Sequence, residues 1–402
     1  MTNIKIAIFA IGLFLTLQIE AASIKILFDN TKAEQAGNAD WVISNSSSPV
    51  QIPTPAQSGI TSSTPETYWT GALSGWGIDC VKKGYYVETL TGSSQITYGN
   101  SSNSQDLSNY QVYIVCEPNT VFTTAEKTAM MNFVKNGGGL FMVSDHTVSD
   151  RNNDGWDSPA IWIDFLTNNT VQNNPFGITV DLANISQTST NIAALPKDSI
   201  LHGPMGNVTE VMWSNGTTFT INKTVNPSVV GQVFKTGVST TGTTGVLFAT
   251  ARYGKGKVAI IGDSSPCDDG TGGSGNSLYP GYFGDANGNH QLLLMNATIW
   301  LATPSITTGI KSIETRKSDF QLYPNPVSDG KLHVNYSLNN SSNTKIQLFD
   351  ATGKNVKTIA NTDVSADSQN ESIDVSDLRS GIYLCRLSTG KETITKTVII
   401  RK

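Results

Sequence analysis

The chain is poor in the residues that define several common classes of protein. Four cysteines and four histidines in 402 residues, with only 15% of residues charged, leave little material for a disulfide framework or a histidine-rich metal centre. Cys80, Cys116, Cys267 and Cys385 show no C-x-x-C spacing, so a zinc site built from them is excluded, and either one bridge or buried free thiols remains open. The net charge of −5 and pI near 5.4 give no basic face to neutralise phosphates, which excludes a nucleic-acid partner. Beyond the N-terminus no apolar run approaches the roughly 20 residues that a transmembrane helix needs, so no transmembrane segment is expected.

The N-terminus is the exception. Lys5 precedes an apolar run from Ile6 to Leu17, and small residues follow at Ala21 and Ala22. That order of features reads as a secretory signal peptide over residues 1–22. About 380 residues then remain, enough for two domains. Ala302-Thr303-Pro304-Ser305 opens a polar stretch with little periodicity, which reads as a linker over 303–319 between domains at 23–302 and 320–402.

The first domain reads as alternating strands and helices. Strands are expected at Ile24–Asp29, Tyr85–Glu88, Val112–Cys116 and Leu140–Val143, with a helix around Thr67–Lys82. Thr123-Thr124-Ala125-Glu126 is a capping box for a helix through Val134. A strand pair, Gly245–Thr250 and Lys257–Gly262, surrounds the turn Tyr253-Gly254-Lys255-Gly256, and Gln291–Leu301 has helical spacing. This alternation predicts a mostly parallel sheet with flanking helices. Residues from about 165 to 245 read as a loop-rich or β-rich insertion.

Chemistry in such a sheet collects at the carboxyl ends of the strands. The polar residues there are Asp29, Glu117, Asp145 with His146, and Asp263 with Ser264 and Ser265. Asp145, His146, Asp263, Ser264 and Asp29 are the candidate catalytic residues, an acid–base set of carboxylates and one imidazole. Asp268-Asp269 and Asp285-x-Asn287-x-Asn289-His290 add further polar groups nearby in sequence. Asp150-x-Asn152-x-Asp154-Gly155-x-Asp157 places oxygen ligands at alternate positions with Gly at the sixth, the first half of a calcium loop; Ile161 stands where the bidentate Glu would be. Calcium on Asp150, Asn152, Asp154 and Asp157 is the expected cofactor. Trp41, Trp69, Trp76, Trp156, Trp162 and Trp213 lie in or beside loops, where exposed indoles would stack on sugars and buried ones would belong to the core. His202, in Leu201-His202-Gly203-Pro204, reads as a structural turn residue.

Two resemblances follow from longer blocks. Leu322-Tyr323-Pro324-Asn325-Pro326-Val327, Ile346–Asp350, Thr352-Gly353-Lys354, Ile373–Leu378, Ser380–Leu384 and Lys396–Lys402 are short alternating strands separated by turns, the pattern of a small β-sandwich. In that order they resemble the type A C-terminal sorting domain of the Bacteroidota type IX secretion system. The resemblance implies passage through the periplasm, the secretion machinery as partner, and a secreted or cell-surface location. Phe133–His146, Arg252–Ser264 and Asn296–Leu301 resemble the class I glutamine-amidotransferase-like superfamily, including its trehalose-utilisation-like and gliding or intraflagellar-transport branches. That family's nucleophilic Cys is absent: Ser144-Asp145-His146 stands at the elbow, which excludes amide transfer by a thiolate. Gly262-Asp263-Ser264 resembles the Gly-Asp-Ser of lipolytic esterases, but on a late strand rather than the first, and no Gly-x-Ser-x-Gly elbow occurs. The expected activity is hydrolysis of an extracellular polymer, glycan favoured. The alternative is a non-catalytic glycan-binding or adhesion protein on the same scaffold.

Overall fold

The computed structural model describes residues 23–36, 39–44, 56–271, 281–284, 289–304, 320–337, 342–364, 368–389 and 393–402. The signal-peptide segment, residues 305–319 of the linker, and Asp285 and Asn287 lie outside the described residues. The contacts divide the chain into two compact units, Met1–Ile306 and Thr307–Lys402.

The first unit runs β1 (Lys25–Asp29), α1 (Ser74–Lys82), β2 (Tyr86–Leu90), β3 (Val112–Cys116), α2 (Thr124–Asn136), β4 (Gly139–Val143), α3 (Ser158–Thr167), β5 (Ile178–Val180), β6 (Ile185–Ser189), β7 (Val211–Gly216), β8 (Phe219–Ile221), β9 (Val230–Phe234), β10 (Val246–Tyr253), β11 (Gly256–Ile261) and α4 (His290–Ala302). Nine of these strands form one sheet in the order β2-β1-β3-β4-β11-β10-β8-β5, with β9 also paired to β10. The first five are parallel to one another, and β10, β9, β8 and β5 continue the sheet antiparallel. β3, β4 and β11 are buried along their whole length, as continuous apolar runs covered on both faces must be. Trp76 of α1 fixes the helix to the sheet, edge-on to Phe28 at 5.6 Å and to Phe141 at 4.9 Å.

Local chemistry explains the boundaries. The Thr123 side chain accepts from the Glu126 backbone N–H while the Glu126 carboxylate accepts from that of Thr123, which closes the start of α2. Gly137, at φ +127, ends that helix where a side chain would be strained. The expected helix at Thr67–Lys82 begins only at Ser74. Residues before it dock on the 42–44 segment through Thr70 N to Ser44 O and Leu73 N to Val42 O. A Cβ at Gly71 would lie 2.3 Å from Val42 O, so this close approach depends on the glycine. Much of the region read as an insertion is part of the sheet itself: β5, β8 and β9 extend its antiparallel half.

The second unit is all β. It comprises β12 (Gln321–Tyr323), β13 (Lys331–Ser337), β14 (Ser342–Phe349), β15 (Asn355–Val364), β16 (Ser368–Asp374), β17 (Gly381–Thr389) and β18 (Thr393–Ile400). The sheets β12-β13-β16 and β15-β14-β17-β18 share one core, with Leu332, Val334 and Tyr336 from the first and Ile346, Leu348, Leu387 and Val398 from the second. Asn325 clasps β18, donating to Thr397 O at 3.0 Å and accepting from Ile399 N at 2.9 Å.

Candidate functional site

Three adjacent parallel strands, β3, β4 and β11, end in Glu117, Asp145 and Asp263. All three side chains are sequestered, at 0%, 3% and 0% exposure. Glu117 sits at φ +46, a conformation costly for a side chain of this length. Its carboxylate is held by three donors: Trp41 Nε1 at 2.8 Å, Ser264 Oγ at 2.7 Å and Arg151 Nε at 3.2 Å. Arg151 also reaches Asp145 Oδ2 through Nη2 at 3.3 Å. Asp263 accepts from Ser214 N and from Ser265 N, and Ser265 Oγ in turn donates to Ser214 O at 3.1 Å.

His146 forms the rim of this cluster. Its Nε2 lies 3.6 Å from Asp145 Oδ2, while Nδ1 faces Thr147 O at 2.5 Å and the Asn184 amide at 3.1 Å. Nε2 is therefore the nitrogen turned to Asp145. Arg151, with a third of its side chain exposed, is the other group open to solvent.

The electrostatics follow from burial. Loss of water raises the Glu117 carboxyl, although Arg151 and Ser264 pull it back. Asp145 is pushed well above the usual carboxylate range, first by burial and then by the charges of Glu117 and Asp263. Burial takes Asp263 up to about 7 against the opposing hydrogen bonds from Ser265 and Ser214. Three buried carboxyls, of which Glu117 and Asp145 share the one guanidinium of Arg151, cannot all ionise freely, so they titrate as a set. Such a set can give or accept a proton through the groups at its rim.

Asp29 is not in direct contact with these groups. It accepts from Tyr113 Oη at 2.6 Å and from Thr31 Oγ1 at 3.0 Å, in a separate buried network. The neighbouring Glu34 is raised well above its usual range, first by burial and then by the Asp29 charge. Arg151 and Ser214 are the members that the sequence reading passed over, and from sequence Trp41 reads only as a sugar-stacking or core indole. Arg151 was hidden inside the calcium-like loop, and Trp41 among indoles with no periodic signal. Of the six tryptophans considered, only Trp156 is exposed, at 38%; the other five are core residues. Asp268 and Asp269 are also buried, with burial raising them to about 8 and about 6. His290 is buried and accepts from Met212 N through Nε2 at 2.9 Å. His202 is exposed in a two-residue strand paired with Gly206–Asn207.

The 150–157 loop delivers Arg151. Arg151 N donates to Asn119 Oδ1 at 3.1 Å, and the Asn152 amide donates to Asn119 O, which docks the loop on the turn after Glu117. Within it, Asp150 accepts from Asp154 N and Gly155 N, and Asp154 accepts from Trp156 N. Asp157 caps α3 through Ala160 N at 3.0 Å and closes onto Val148 N at 2.9 Å. Asp150, Asn152, Asp154 and Asp157 thus all accept backbone N–H groups, the first three within one turn. The Asn152 amide nitrogen faces Asp154 Oδ2 at 3.0 Å and would have to turn to offer its oxygen to an ion. Among the described residues no group of three or more His, Cys, Asp or Glu side chains converges as a metal site.

The first unit is therefore an α/β domain with a buried carboxyl–guanidinium cluster at its strand ends, and the second is a small β-sandwich. Residues 321–401, spanning that sandwich, match the family described as a secretion system C-terminal sorting domain. The chain thus carries the sorting signal of the type IX secretion system of Bacteroidota and is cargo of that machinery, secreted or held at the cell surface. No helix among the described residues is long and apolar enough to cross a membrane. No curated protein matches the sequence. Among solved structures, the mmIFT52 N-terminal domain aligns at a TM-score of 0.39 and 13% identity, covering 70% of this chain and 99% of that one.

Proposed function

We propose that the α/β unit is an exported hydrolase of an extracellular polymer, with glycan the favoured substrate, acting at the β3–β4–β11 strand ends. The observation that carries this reading is Asp145: its Oδ2 faces both Arg151 Nη2 and His146 Nε2, while burial and then the charges of Glu117 and Asp263 keep its proton affinity high. In this reading Asp145 and His146 are the acid–base pair, with the His146 ring turning one nitrogen from its protein partners to the substrate, a role typically worth about 10²–10⁴-fold in rate. Arg151 holds the Glu117 and Asp145 charges together. Asp263 sets the proton affinity of the group, and Ser264 orients Glu117. Asp29 acts only by positioning Tyr113. Calcium bound by Asp150, Asn152 and Asp154 would fix the loop that carries Arg151, with Asp157 anchoring its end to α3.

The burial of Glu117, Asp145 and Asp263 favours one second reading, a non-catalytic glycan-binding or adhesion surface in which the polymer touches only Arg151, His146 and the rim. The test is a panel of neutral and acidic polysaccharides assayed for cleavage and for binding with the wild type, His146→Ala and Asp145→Asn. Cleavage lost in both variants with binding retained supports the hydrolase. Binding without cleavage by the wild type supports the second reading, and cleavage unchanged in both variants overturns the assignment of this site.

A further inference from the structure

We propose that Cys116 and Cys267 are joined by a disulfide in the exported protein, beneath the carboxyl cluster. Cys116 is the last residue of β3 and Cys267 closes the 3₁₀ turn Ser265–Cys267 that follows β11. Two contacts bring these ends together. Ser264 Oγ donates to Glu117 Oε2 at 2.7 Å, and Cys267 N donates to Ser264 O at 2.8 Å. Both thiols are free and buried in this structure, at 1% and 0% exposure, and Cys267 is the neighbouring side chain that acts on Cys116. A bond between neighbouring side chains forms where the Cα atoms stand within about 7 Å. The other two cysteines are placed differently: Cys80 faces Met295 Sδ at 3.9 Å, and Cys385 lies in the core of the second unit.

The compartment supplies the chemistry. Cargo of this secretion system crosses the periplasm, where protein disulfides act as oxidants. The thiolate of one cysteine attacks such an exchangeable disulfide and forms a mixed disulfide. The second thiolate then displaces the carrier, so the S–S bond forms, two protons leave, and two electrons pass to the carrier as a dithiol. Burial, followed by the adjoining Cys267 thiol, pushes the Cys116 thiol well up, so Cys116 holds almost no thiolate once folded. The bond therefore forms while the domain folds, before the pair is covered, and it closes a loop on the order of 150 residues. It ties the strained Glu117 turn to the turn carrying Asp263 and Ser264.

The test uses the full chain purified after export, denatured and alkylated with iodoacetamide with and without prior reduction. The expected result is two alkyl groups without reductant and four with it, out of the four cysteines present. Peptide mapping should show a crosslink between the Cys116 and Cys267 peptides. A Cys267→Ser chain should take three alkyl groups in both conditions. Reduction should lower the first unit's Tm by on the order of 5 °C. Four alkyl groups on the unreduced exported protein, or a crosslink between any other pair, overturns the proposal.

Discussion

Ser264 Oγ and Glu117 Oε2, 2.7 Å apart, join the ends of β11 and β3, the two strands that flank β4 in the sheet. Asp145 ends β4 between them, and Arg151 bridges Glu117 and Asp145 from the adjoining loop. The cluster is thus a crosslink between strand ends as well as a reservoir of protons. That dual character governs how its members respond to substitution.

Glu117 should be the most expensive member to remove. Glu117→Ala leaves the Trp41 indole N–H, the Ser264 hydroxyl and the Arg151 guanidinium without their acceptor in a buried site. Removing one partner of a buried ionic network costs about 3–5 kcal/mol. Glu117→Gln keeps the shape and one acceptor oxygen, and should cost about 1–3 kcal/mol. Urea midpoints measured at constant m-value check this, and an alanine variant as stable as the wild type would show that Glu117 is not the hub.

The pH dependence has a definite sign. Burial raises Asp263 from its ordinary 3.8 to about 7 in the folded state, and Asp268 and Asp269 to about 8 and about 6. The native protein therefore binds more protons than the unfolded chain between pH about 4 and about 8. Stability contributed by these groups is fully present below pH about 4 and falls as pH rises through that window. Carboxylates with lowered affinity, such as Glu66 and Glu88, oppose this trend at the acid end. Denaturation of the first unit at pH 5.5 and pH 8 should show the higher midpoint at pH 5.5, and Asp263→Asn should flatten the difference. A higher midpoint at pH 8 would contradict the assigned proton affinities.

Much of this architecture was legible because it rests on local rules. The capping box at Thr123 and Glu126, the glycines after α2 and the apolar runs of β3, β4 and β11 each announce their element. The sorting sandwich was legible from an ordered set of short blocks. The α1 start was not, because it is set by tertiary docking of residues 70–73 on residues 42–44. The strand-end rule found Asp145, His146, Asp263 and Ser264. It could not find Arg151, which reaches the cluster from a loop whose alternating oxygens suggested another purpose, nor separate Asp29, whose partner Tyr113 lies on the neighbouring strand. Such contacts depend on side-chain direction across strands, which spacing along the chain does not encode.

Passage beyond the periplasm should depend on the second unit. Residues 321–401 match the sorting-domain family, and the core of this unit draws on its own strands. Deleting residues 320–402 should leave a folded first unit, with its core from β1 to α4 intact, retained in the periplasm. Cell fractionation of a type IX-secreting host reads this directly. Normal appearance of the truncated chain in the medium would place the export signal elsewhere.

Calcium should act through the loop that carries Arg151. Asp150, Asn152 and Asp154 stand at alternate positions of one exposed turn, and that turn is joined to the cluster by Arg151 and to α3 by Asp157. An ion bound only by the native state stabilises it by RT ln(1 + [L]/Kd), about 2.7 kcal/mol at a hundredfold excess over Kd. Adding calcium to chelated protein should therefore raise the Tm, and Asp154→Ala should abolish the rise. Asp157→Ala differs, because it also removes the cap of α3, at a cost of about 1 kcal/mol with or without calcium. Equal melting curves for the wild type in calcium and in chelator would reduce the loop to its hydrogen-bonded turn. Arg151 would then be held without the ion, by Asn119, which accepts from Arg151 N and the Asn152 amide, and by Glu117 and Asp145 at its guanidinium.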